Sequence, residues 1–342
     1  MQLLNQAVVR EQLTMTAAID AIEQLLVLQH HHPDWVKSPE RLVIPTFEGS
    51  NLQSQGSHLS MPATIFDGTN EFAVVKLVTI CPDNPKRNLP TTTANITVSD
   101  NATGRMLAIM DGSYITEVRT AALSGIATKL MAKRDCQSVA VIGCGGMAFE
   151  QLNATLSVRP SVKRVYLWNR SQGGATAFKA KFEQDYFDQG YFDNSELIVC
   201  DNINDALKEA DIINVATRAT QGLFCLNQIK NDAHINAVGA YLPSMKEISN
   251  DIITKSQVIV DDIIGSKAEA GDLIQAHEAA DCSWEWGNMS GDLRSLLISP
   301  KKIDTSKLTL FKSVGAASFD AAVGLYLAKK TTELSLGQQV AW

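Results

Sequence analysis

A short glycine-rich segment is the part of the sequence whose residue types and spacing point most directly to chemistry. It reads Gly143-Cys144-Gly145-Gly146-Met147-Ala148. An apolar run at 139–142 precedes it, and a helical pattern at 147–158 follows it. Gly143 and Gly145 allow a tight turn and a close approach of the backbone to a pyrophosphate, and the helix N-terminus offers N–H groups to the phosphates. The segment therefore predicts a Rossmann-type loop that binds a dinucleotide.

The residues that follow the next predicted strand indicate which dinucleotide is bound. Asn169, Arg170 and Ser171 stand where an NAD site usually carries Asp or Glu on the ribose 2′-hydroxyl. Arg170 is able to pair with a 2′-phosphate and to stack on the adenine, and Ser171 is able to donate a hydrogen bond. This pattern favours NADPH. NADH stays possible if Arg170 only covers the adenine.

The elements that must position these residues fall into two sets. Strand patterns separated by turn clusters predict a mostly antiparallel α+β domain, with strands at 41–47, 58–66, 71–81, 92–99 and 105–110. The second set alternates strands with helical patterns, with strands at 138–142, 164–168, 197–200, 212–216, 235–238 and 258–261. Such alternation is typical of an α/β, doubly wound parallel sheet.

Helical periodicity predicts three long helices, at 12–30, 116–133 and 317–330. The second connects the two sets of strands, and we expect the third to pack back on the first set. The sequence therefore predicts a discontinuous domain at 1–120 and 316–342, and a Rossmann dinucleotide-binding domain at 121–315.

Composition narrows the class of protein. The net charge of −7 over 342 residues argues against nucleic acids and anionic membranes as partners. No apolar run approaches the roughly 20 residues that span a bilayer, and no signal peptide is recognisable, so we expect a cytoplasmic protein. The six cysteines form no CxxC pair, and the run at 30–32 of three histidines fits an exposed helix end, so no metal site is predicted.

Several further segments, in order along nearly the whole chain, resemble the ornithine cyclodeaminase/μ-crystallin family. Besides the glycine loop they are Arg41, Ser60-Met61-Pro62-Ala63, Val75-Lys76-Leu77-Val78-Thr79, Thr103-Gly104-Arg105, Met110-Asp111-Gly112, Ile115-Thr116-Glu117-Val118-Arg119-Thr120-Ala121-Ala122, Val238-Gly239-Ala240-Tyr241-Leu242-Pro243 and Lys312-Ser313-Val314-Gly315. No single motif carries the resemblance. It rests on the whole ordered set.

The resemblance implies a homodimer formed through the non-Rossmann domain, which also binds substrate, and an active site in the cleft between the domains. By position it implies that Arg41, Lys76 and Arg119 hold the carboxylate of a small 2-imino or 2-amino acid. Cations and a guanidinium fork suit that task because they fix the substrate carbon relative to the nicotinamide. We further expect four residues to line the substrate pocket, Met61, Thr79, Asn84 and Tyr241. We also expect Thr217 and Ser313 to contact the cofactor.

One position departs from the family pattern. The cyclodeaminases carry an aspartate after their glycine pair, and this chain has Tyr241 at the matching position. A tyrosine hydroxyl is not a carboxylate base at neutral pH. Members that lack the acid tend to be ketimine reductases, so we expect reduction of a cyclic 2-imino acid by NAD(P)H. Δ1-Pyrroline-2-carboxylate would give L-proline, and Δ1-piperideine-2-carboxylate would give L-pipecolate.

Three alternatives stay open at the level of the sequence. The first is ornithine cyclodeaminase, which would convert ornithine to proline plus ammonia. The second is an amino-acid dehydrogenase of the alanine type. The third is a non-catalytic NADPH-binding protein of the crystallin kind, against which the intact set Arg41, Lys76 and Arg119 argues.

Overall fold

The computed structural model describes residues 1–46, 56–187, 192 and 195–341. The chain divides into two compact units. Unit 1 consists of Met1–Arg119 and Ala316–Trp342, and unit 2 consists of Thr120–Gly315. The substrate-binding and dimerisation roles predicted for the first domain stay predictions.

The regular elements are numbered along the described residues. The strands are β1 (Gln2–Leu4), β2 (Val36–Lys37), β3 (Leu42–Pro45), β4 (Ser57–Phe66), β5 (Glu71–Ile80), β6 (Thr92–Asp100), β7 (Met106–Asp111), β8 (Ser138–Ile142), β9 (Arg164–Trp168), β10 (Glu196–Val199), β11 (Ile212–Val215), β12 (His234–Ala237), β13 (Gln257–Val260), β14 (Gly291–Asp292), β15 (Thr309–Lys312) and β16 (Gln338–Gln339). The helices are α1 (Gln6–Gln12), α2 (Met15–His31), α3 (Ser113–Met131), α4 (Gly146–Val158), α5 (Gln172–Phe182), α6 (Ile203–Leu207), α7 (Asn250–Lys255), α8 (Ile263–Glu269), α9 (Gly271–Glu278), α10 (Leu293–Ile298) and α11 (Ala317–Glu333).

Unit 1 is built on a mixed sheet of order β16-β1-β7-β6-β5-β4-β2, in which β3 also pairs with β4. Apart from the parallel pair β1–β7, the described pairs of this sheet are antiparallel. The sequence prediction of a mostly antiparallel region is confirmed. Position 47, the end of the first predicted strand, lies outside the described residues.

One face of this sheet is covered by α11, which packs on β4, β5 and β6. Along β5 the alternate residues Phe72, Val74, Lys76 and Val78 are buried, as expected for one face of a strand with period two. A Cβ placed on Gly324 of α11 would stand 3.0 Å from the side chain of Ile96 on β6. The glycine therefore lets the helix lie close to the sheet, and Lys76 faces the helix.

Unit 2 is a doubly wound parallel sheet of order β10-β9-β8-β11-β12-β15-β13-β14, and it confirms the predicted α/β fold. The six predicted strands are present, with bounds shifted by at most one residue. The prediction missed β14 and β15. The second omission matters because β15, late in the unit, inserts between β12 and β13 and carries Lys312 into the centre of the sheet.

The strand order reverses between β8 and β11, because the chain leaves β8 towards β9 on one side and later returns to β11 on the other. In doubly wound sheets, ligands bind outside the carboxyl ends of the strands at this reversal. The loop after β8 is the glycine segment, and the loop after β11 begins with Ala216 and Thr217. The fold thus brings the predicted dinucleotide loop to the position where such loops act.

The predicted long helices are present as α2, α3 and α11, and the histidine run stands at the end of α2, as expected. Within the ranges that the structure describes, no helix is long and apolar enough to cross a bilayer. Among the same residues, no group of three or more His, Cys, Asp or Glu side chains is arranged to hold a metal ion.

Candidate active site

Two of the predicted cations meet on a buried carboxylate in unit 1. Lys76 Nζ lies 2.7 Å from Asp320 Oδ2, and Arg119 Nε donates to Asp320 Oδ1 at 2.9 Å. The Lys76 and Asp320 side chains are only 2% and 1% exposed. Burying charged side chains costs free energy unless their partners and hydrogen bonds compensate for the lost water. The three side chains therefore depend on one another for their placement. We call Lys76, Arg119 and Asp320 the cation cluster.

Arg41 and Met61 belong to the surroundings of this cluster. Arg41 precedes β3, and its charge acts on Lys76. Met61 on β4 is paired in register with Lys76 on β5, so the two side chains share a face of the sheet. Four of the residues predicted from the sequence are therefore close to one another, although they come from four separate places in unit 1: the start of β3, β4, β5 and α3.

Burial and neighbouring charges shift the pKa values of both titratable residues of the cluster, Lys76 and Asp320. Burial lowers the pKa of Lys76 to about 7, with Arg119 and Arg41 acting in the same direction against the attraction of Asp320. Burial alone would raise the pKa of Asp320, but the charges of Arg119 and Lys76 outweigh it and hold that pKa below its usual value. Asp320 therefore stays ionised, while Lys76 is poised to give or take a proton near neutral pH.

Asp320 is the member of the cation cluster that the sequence analysis did not name. It lies on α11, one turn before Gly324, and that glycine brings the helix close to Ile96, the register partner of Lys76 on β6. The available signal was a carboxylate in the middle of an otherwise small and apolar helical stretch, Ala316–Gly324. A charge in that position needs a buried partner.

Thr79 and Asn84 are not brought to the cation cluster. Thr79 is three residues from Lys76 on the same strand, so its side chain lies on the opposite face, where Oγ1 is 3.1 Å from Nδ1 of His58. The Asn84 amide donates to the carbonyl of Pro90 at 2.7 Å, within the loop between β5 and β6. Their predicted pocket roles stay predictions without support from these contacts.

The glycine segment of unit 2 has the geometry of a phosphate-binding turn. Gly143 has φ of +90°, a region that favours glycine, and α4 begins at Gly146 with Gly145 as its N-cap residue. The Cys144 N–H donates to Asn169 Oδ1 at 3.2 Å, so the end of β9 holds the turn. Ala148 is fully buried, as close packing of helix and strand requires. Burial raises the pKa of the Cys144 thiol to about 12, so it is an unreactive thiol at neutral pH.

Two alanine substitutions in this turn should have different effects. A Cβ at Gly143 would stand 2.7 Å from the Ala216 carbonyl oxygen in a backbone conformation unfavourable to alanine, whereas a Cβ at Gly145 meets nothing within 4 Å. We expect Gly143→Ala to lower the free energy of unfolding by about 1–3 kcal/mol. Gly145→Ala should leave the thermal midpoint unchanged and weaken only dinucleotide binding, because its methyl group projects where the pyrophosphate must approach. Differential scanning calorimetry and cofactor titration of both variants test this pair. Equal melting temperatures would contradict it.

In Rossmann folds, the residues at the end of the second strand contact the adenosine ribose of the dinucleotide. In this chain the residues that follow β9 are Asn169, Arg170 and Ser171. Asn169 Nδ2 donates to the carbonyl and hydroxyl oxygens of Ser171 at 3.0 and 3.1 Å, so the amide of Asn169 shapes the turn. The side chains of Arg170 and Ser171 are exposed to solvent. Asn169 therefore supports the loop, and the side chain of Arg170 is exposed at the end of β9.

Thr217, Tyr241 and Ser313 follow the carboxyl ends of β11, β12 and β15. The N–H and hydroxyl of Thr217 both donate to Glu247 Oε1, and Tyr241 is half-buried. The Ser313 hydroxyl donates to Asp261 Oδ2 at 2.7 Å and is almost fully buried. The cofactor contact predicted for Ser313 stays a prediction, since its one proton is already used by Asp261. The sequence analysis missed Glu247, whose pKa burial raises to about 7.

The sequence model of the ornithine cyclodeaminase/mu-crystallin family matches residues 1–333. The chain belongs to this family. Within it, the chain is 32% identical over 319 residues to a Δ1-pyrroline-2-carboxylate reductase of Bacillus cereus, which covers 92% of each protein. It is 30% identical over 285 residues to the ketimine reductase mu-crystallin of Mus musculus, covering 83% of this chain and 82% of that one.

A solved structure extends the likeness to three dimensions. The Δ1-pyrroline-2-carboxylate reductase of Thermococcus litoralis, determined in complex with NADH and L-proline, superimposes with a TM-score of 0.89 at 29% identity. The alignment covers 99% of this chain and 100% of the other. The fold and the family predicted from the sequence are both confirmed.

Proposed function

We propose that this protein is an NAD(P)H-dependent imine reductase that converts a cyclic 2-imino acid, Δ1-pyrroline-2-carboxylate or Δ1-piperideine-2-carboxylate, to L-proline or L-pipecolate. The observation that carries the proposal is the cation cluster, in which a lysine titrating near neutral pH and an arginine are fixed on one buried carboxylate. The reductases of Bacillus cereus and Thermococcus litoralis support the substrate class.

We assign different contacts with the substrate to Arg119, Arg41 and Met61. Arg119 uses Nε on Asp320, which leaves its two terminal nitrogens as the pair suited to a bidentate contact with the substrate carboxylate. Arg41, half-buried beside Lys76, adds a second positive charge. Met61 supplies an apolar wall on the same face as Lys76. These roles suit a small ring that carries one carboxylate.

Lys76 is the proton donor in this proposal. An imine carbon becomes electrophilic when its nitrogen is protonated, and a group with a pKa near 7 is an efficient general acid at neutral pH. When bound, NAD(P)H supplies the hydride that ends on C2 of the ring. Lys76 Nζ delivers the proton that ends on nitrogen, and it then regains one from solvent. One imine, one reduced cofactor and one proton thus give one cyclic amino acid and the oxidised cofactor.

The residues of unit 2 fit a nicotinamide dinucleotide. The turn at Gly143 and the N-terminus of α4 offer N–H groups to the pyrophosphate, and a Cβ at Gly145 would project into open space where that group must lie. We propose NADPH as the preferred cofactor, with NADH as the weaker one, because Arg170 is exposed at the end of β9 in place of a carboxylate.

Replacing Arg170 should change cofactor preference alone. Arg170→Ala removes a charge-assisted pair with the 2′-phosphate, so we expect the KM for NADPH to rise about 10- to 100-fold while the KM for NADH changes little. Arg164→Ala is the matched control, because Arg164 is also exposed but stands at the opposite end of the same strand. Steady-state kinetics with both cofactors measure the effect. If both KM values rise equally, Arg170 only covers the adenine.

Tyr241 supports a reductase over a cyclodeaminase. The lyase reaction needs a base to handle the proton and water chemistry of ammonia loss, and the family places an aspartate at this position for that purpose. Tyr241 is a hydrogen-bond donor on the loop after β12, which suits contact with a substrate or a pocket wall but not that base. Adding purified protein to NADPH and Δ1-pyrroline-2-carboxylate tests the proposal, since cofactor oxidation must be matched by L-proline.

We also propose that unit 1 forms the homodimer contact and holds the substrate, while unit 2 holds the cofactor. The support is an exposed apolar row on β3, where Leu42, Val43 and Ile44 are 65%, 55% and 60% exposed. Adjacent large apolar side chains on an exposed strand are typical of an interaction surface.

A further inference from the structure

A buried carboxylate in unit 2 holds together the loops that follow two neighbouring strands of the parallel sheet. Glu247 is fully buried and accepts four hydrogen bonds. Its Oε1 accepts from the N–H and hydroxyl of Thr217, in the loop after β11. Its Oε2 accepts from the N–H groups of Gly239 and Ala240, in the loop after β12, at 2.7 and 3.0 Å. One side chain thus fixes both loops.

Glu247 is itself held by a second buried charge pair. Asp272 Oδ1 accepts from the N–H groups of Glu247 and Ile248 at 2.6 and 2.9 Å, and Asp272 Oδ2 pairs with Lys312 Nζ at 2.7 Å. All three ionisable side chains are buried. A Cβ on Gly239 would overlap the backbone of Thr217 and the carboxylate of Glu247, so the loops fit together only with glycine there. The two loops therefore meet without room for a side chain at position 239.

The loops held by Glu247 lie next to the turn that is proposed to bind the pyrophosphate. A Cβ on Gly143 would contact Ala216 and Thr217, so the loop after β11 lies against the turn proposed to bind the pyrophosphate. The adenosine half of a dinucleotide extends from that turn towards the end of β9, where Arg170 stands. The sheet order β9-β8-β11-β12 therefore directs the other half, which carries the nicotinamide, over the loops that Glu247 fixes.

We propose that Glu247 is a positioning residue for the nicotinamide half of the bound dinucleotide, acting through the loops after β11 and β12. This inference rests on the proposed function, because it presumes that the glycine turn binds a nicotinamide dinucleotide. Glu247 does not touch the cofactor. It fixes the backbone around Thr217 and around Tyr241, the neighbour of Ala240, and those residues define the surface on which the ring settles.

The test compares the whole dinucleotide with a fragment that lacks the nicotinamide. The probes are NADP⁺ and 2′-phospho-ADP-ribose, titrated into the full-length protein by calorimetry. Glu247→Gln replaces one acceptor oxygen with an NH₂ group that faces backbone N–H donors. We expect it to weaken NADP⁺ binding at least ~10-fold and to leave the affinity for the fragment within about twofold, because the new NH₂ group opposes backbone N–H donors only in the loops at the nicotinamide end.

Two further variants guard against a general loss of structure. Glu278→Gln makes the same chemical change at an exposed position of α9 and should alter neither affinity. Thr217→Val removes the hydroxyl that donates to Glu247 and accepts from the Ala219 N–H, with little change in volume, and it keeps the Thr217 N–H bond to Glu247. It should therefore weaken NADP⁺ binding in the same direction by a smaller factor. It keeps the test valid if Glu247→Gln fails to fold.

The outcomes separate this inference from the proposed function. Equal weakening of both probes in the folded variants, or no weakening of NADP⁺, overturns the positioning role while leaving the dinucleotide site intact. If the wild-type protein binds neither NADP⁺ and its fragment nor NAD⁺ and ADP-ribose, the proposed function fails, and the inference fails with it.

Discussion

Lys76→Met should lower kcat for imine reduction by about 10²- to 10⁴-fold, the usual contribution of a positioned general acid. Methionine matches the length of lysine but has no proton to give. In the proposed reaction, the nitrogen of the ring must be protonated as C2 receives the hydride. Lys76 is the member of the cation cluster that titrates, since burial lowers its pKa to about 7.

The proton-donor role of Lys76 also predicts how the reaction rates of the wild-type enzyme change with pH. For imine reduction Lys76 must be protonated, so kcat/KM should be level below pH 7 and should fall as the pH rises through about 7. For oxidation of L-proline Lys76 must be neutral, so the rate should rise over the same interval. The proline amine titrates well above this range, which makes the oxidation direction the cleaner measurement. A titration near pH 7 that persists in Lys76→Met would contradict the assignment.

A loss of stability must be separated from a loss of catalysis. Removing Lys76 leaves Asp320 with Arg119 as its remaining partner in the cluster, and breaking a buried pair costs up to about 3–5 kcal/mol. Lys76→Met keeps the Arg119–Asp320 pair balanced in charge, whereas Asp320→Asn leaves two buried cations without their carboxylate. The thermal midpoint of Lys76→Met should therefore be higher than that of Asp320→Asn, and Lys76→Met should stay folded while its kcat is lost. A loss of kcat that appears only where the variant unfolds would mean that Lys76 is a structural residue.

Arg119→Ala should lower kcat/KM by about 10²- to 10³-fold, because truncating one partner of a buried charged pair costs several kcal/mol. The expected loss lies in holding the substrate carboxylate. Dinucleotide affinity should be unchanged, since Arg119 belongs to unit 1 and the glycine turn to unit 2. Steady-state kinetics combined with a cofactor titration measure both quantities.

Two companion variants define what Arg119 contributes. Arg119→Lys keeps the charge and loses the planar fork, so it should recover only part of the activity. Lys129→Ala removes an exposed cation from the same helix and should have no effect on turnover. If Arg119→Ala unfolds the protein or reduces cofactor binding as strongly as turnover, Arg119 is a structural residue.

The sequence predicted the features whose determinants are local. The glycine turn, its flanking strand and helix, and the absence of a carboxylate after β9 are all contained within about thirty residues of one βαβ unit. Alternating strands and helices predicted the parallel sheet. Arg41, Lys76 and Arg119 came from an ordered resemblance that spans the chain, and the structure places Lys76 and Arg119 on one carboxylate.

What the sequence did not predict depends on pairing between distant segments. Asp320 lies 201 residues from Arg119, and only the packing of α11 on the sheet joins them. The role of Glu247 was not predicted for the same reason, because its hydrogen-bond partners lie in two loops, one after β11 and one after β12. Strand β15 was missed because its place between β12 and β13 is a matter of topology. Strand alternation puts Thr79 on the opposite face of β5 from Lys76, so the pocket role predicted for Thr79 stays a prediction without support from the strand geometry.

The central claim is that hydride passes from the cofactor to C2 of a cyclic 2-imino acid. The most direct measurement is the fate of deuterium from NADPH that is deuterated at both C4 positions of its nicotinamide ring, incubated with the enzyme and Δ1-pyrroline-2-carboxylate. We predict L-proline that carries deuterium at C2, formed in a one-to-one ratio with oxidised cofactor. Failure to form labelled proline from the imine, together with ammonia and unlabelled proline from ornithine and NAD⁺, would contradict the account and identify a cyclodeaminase.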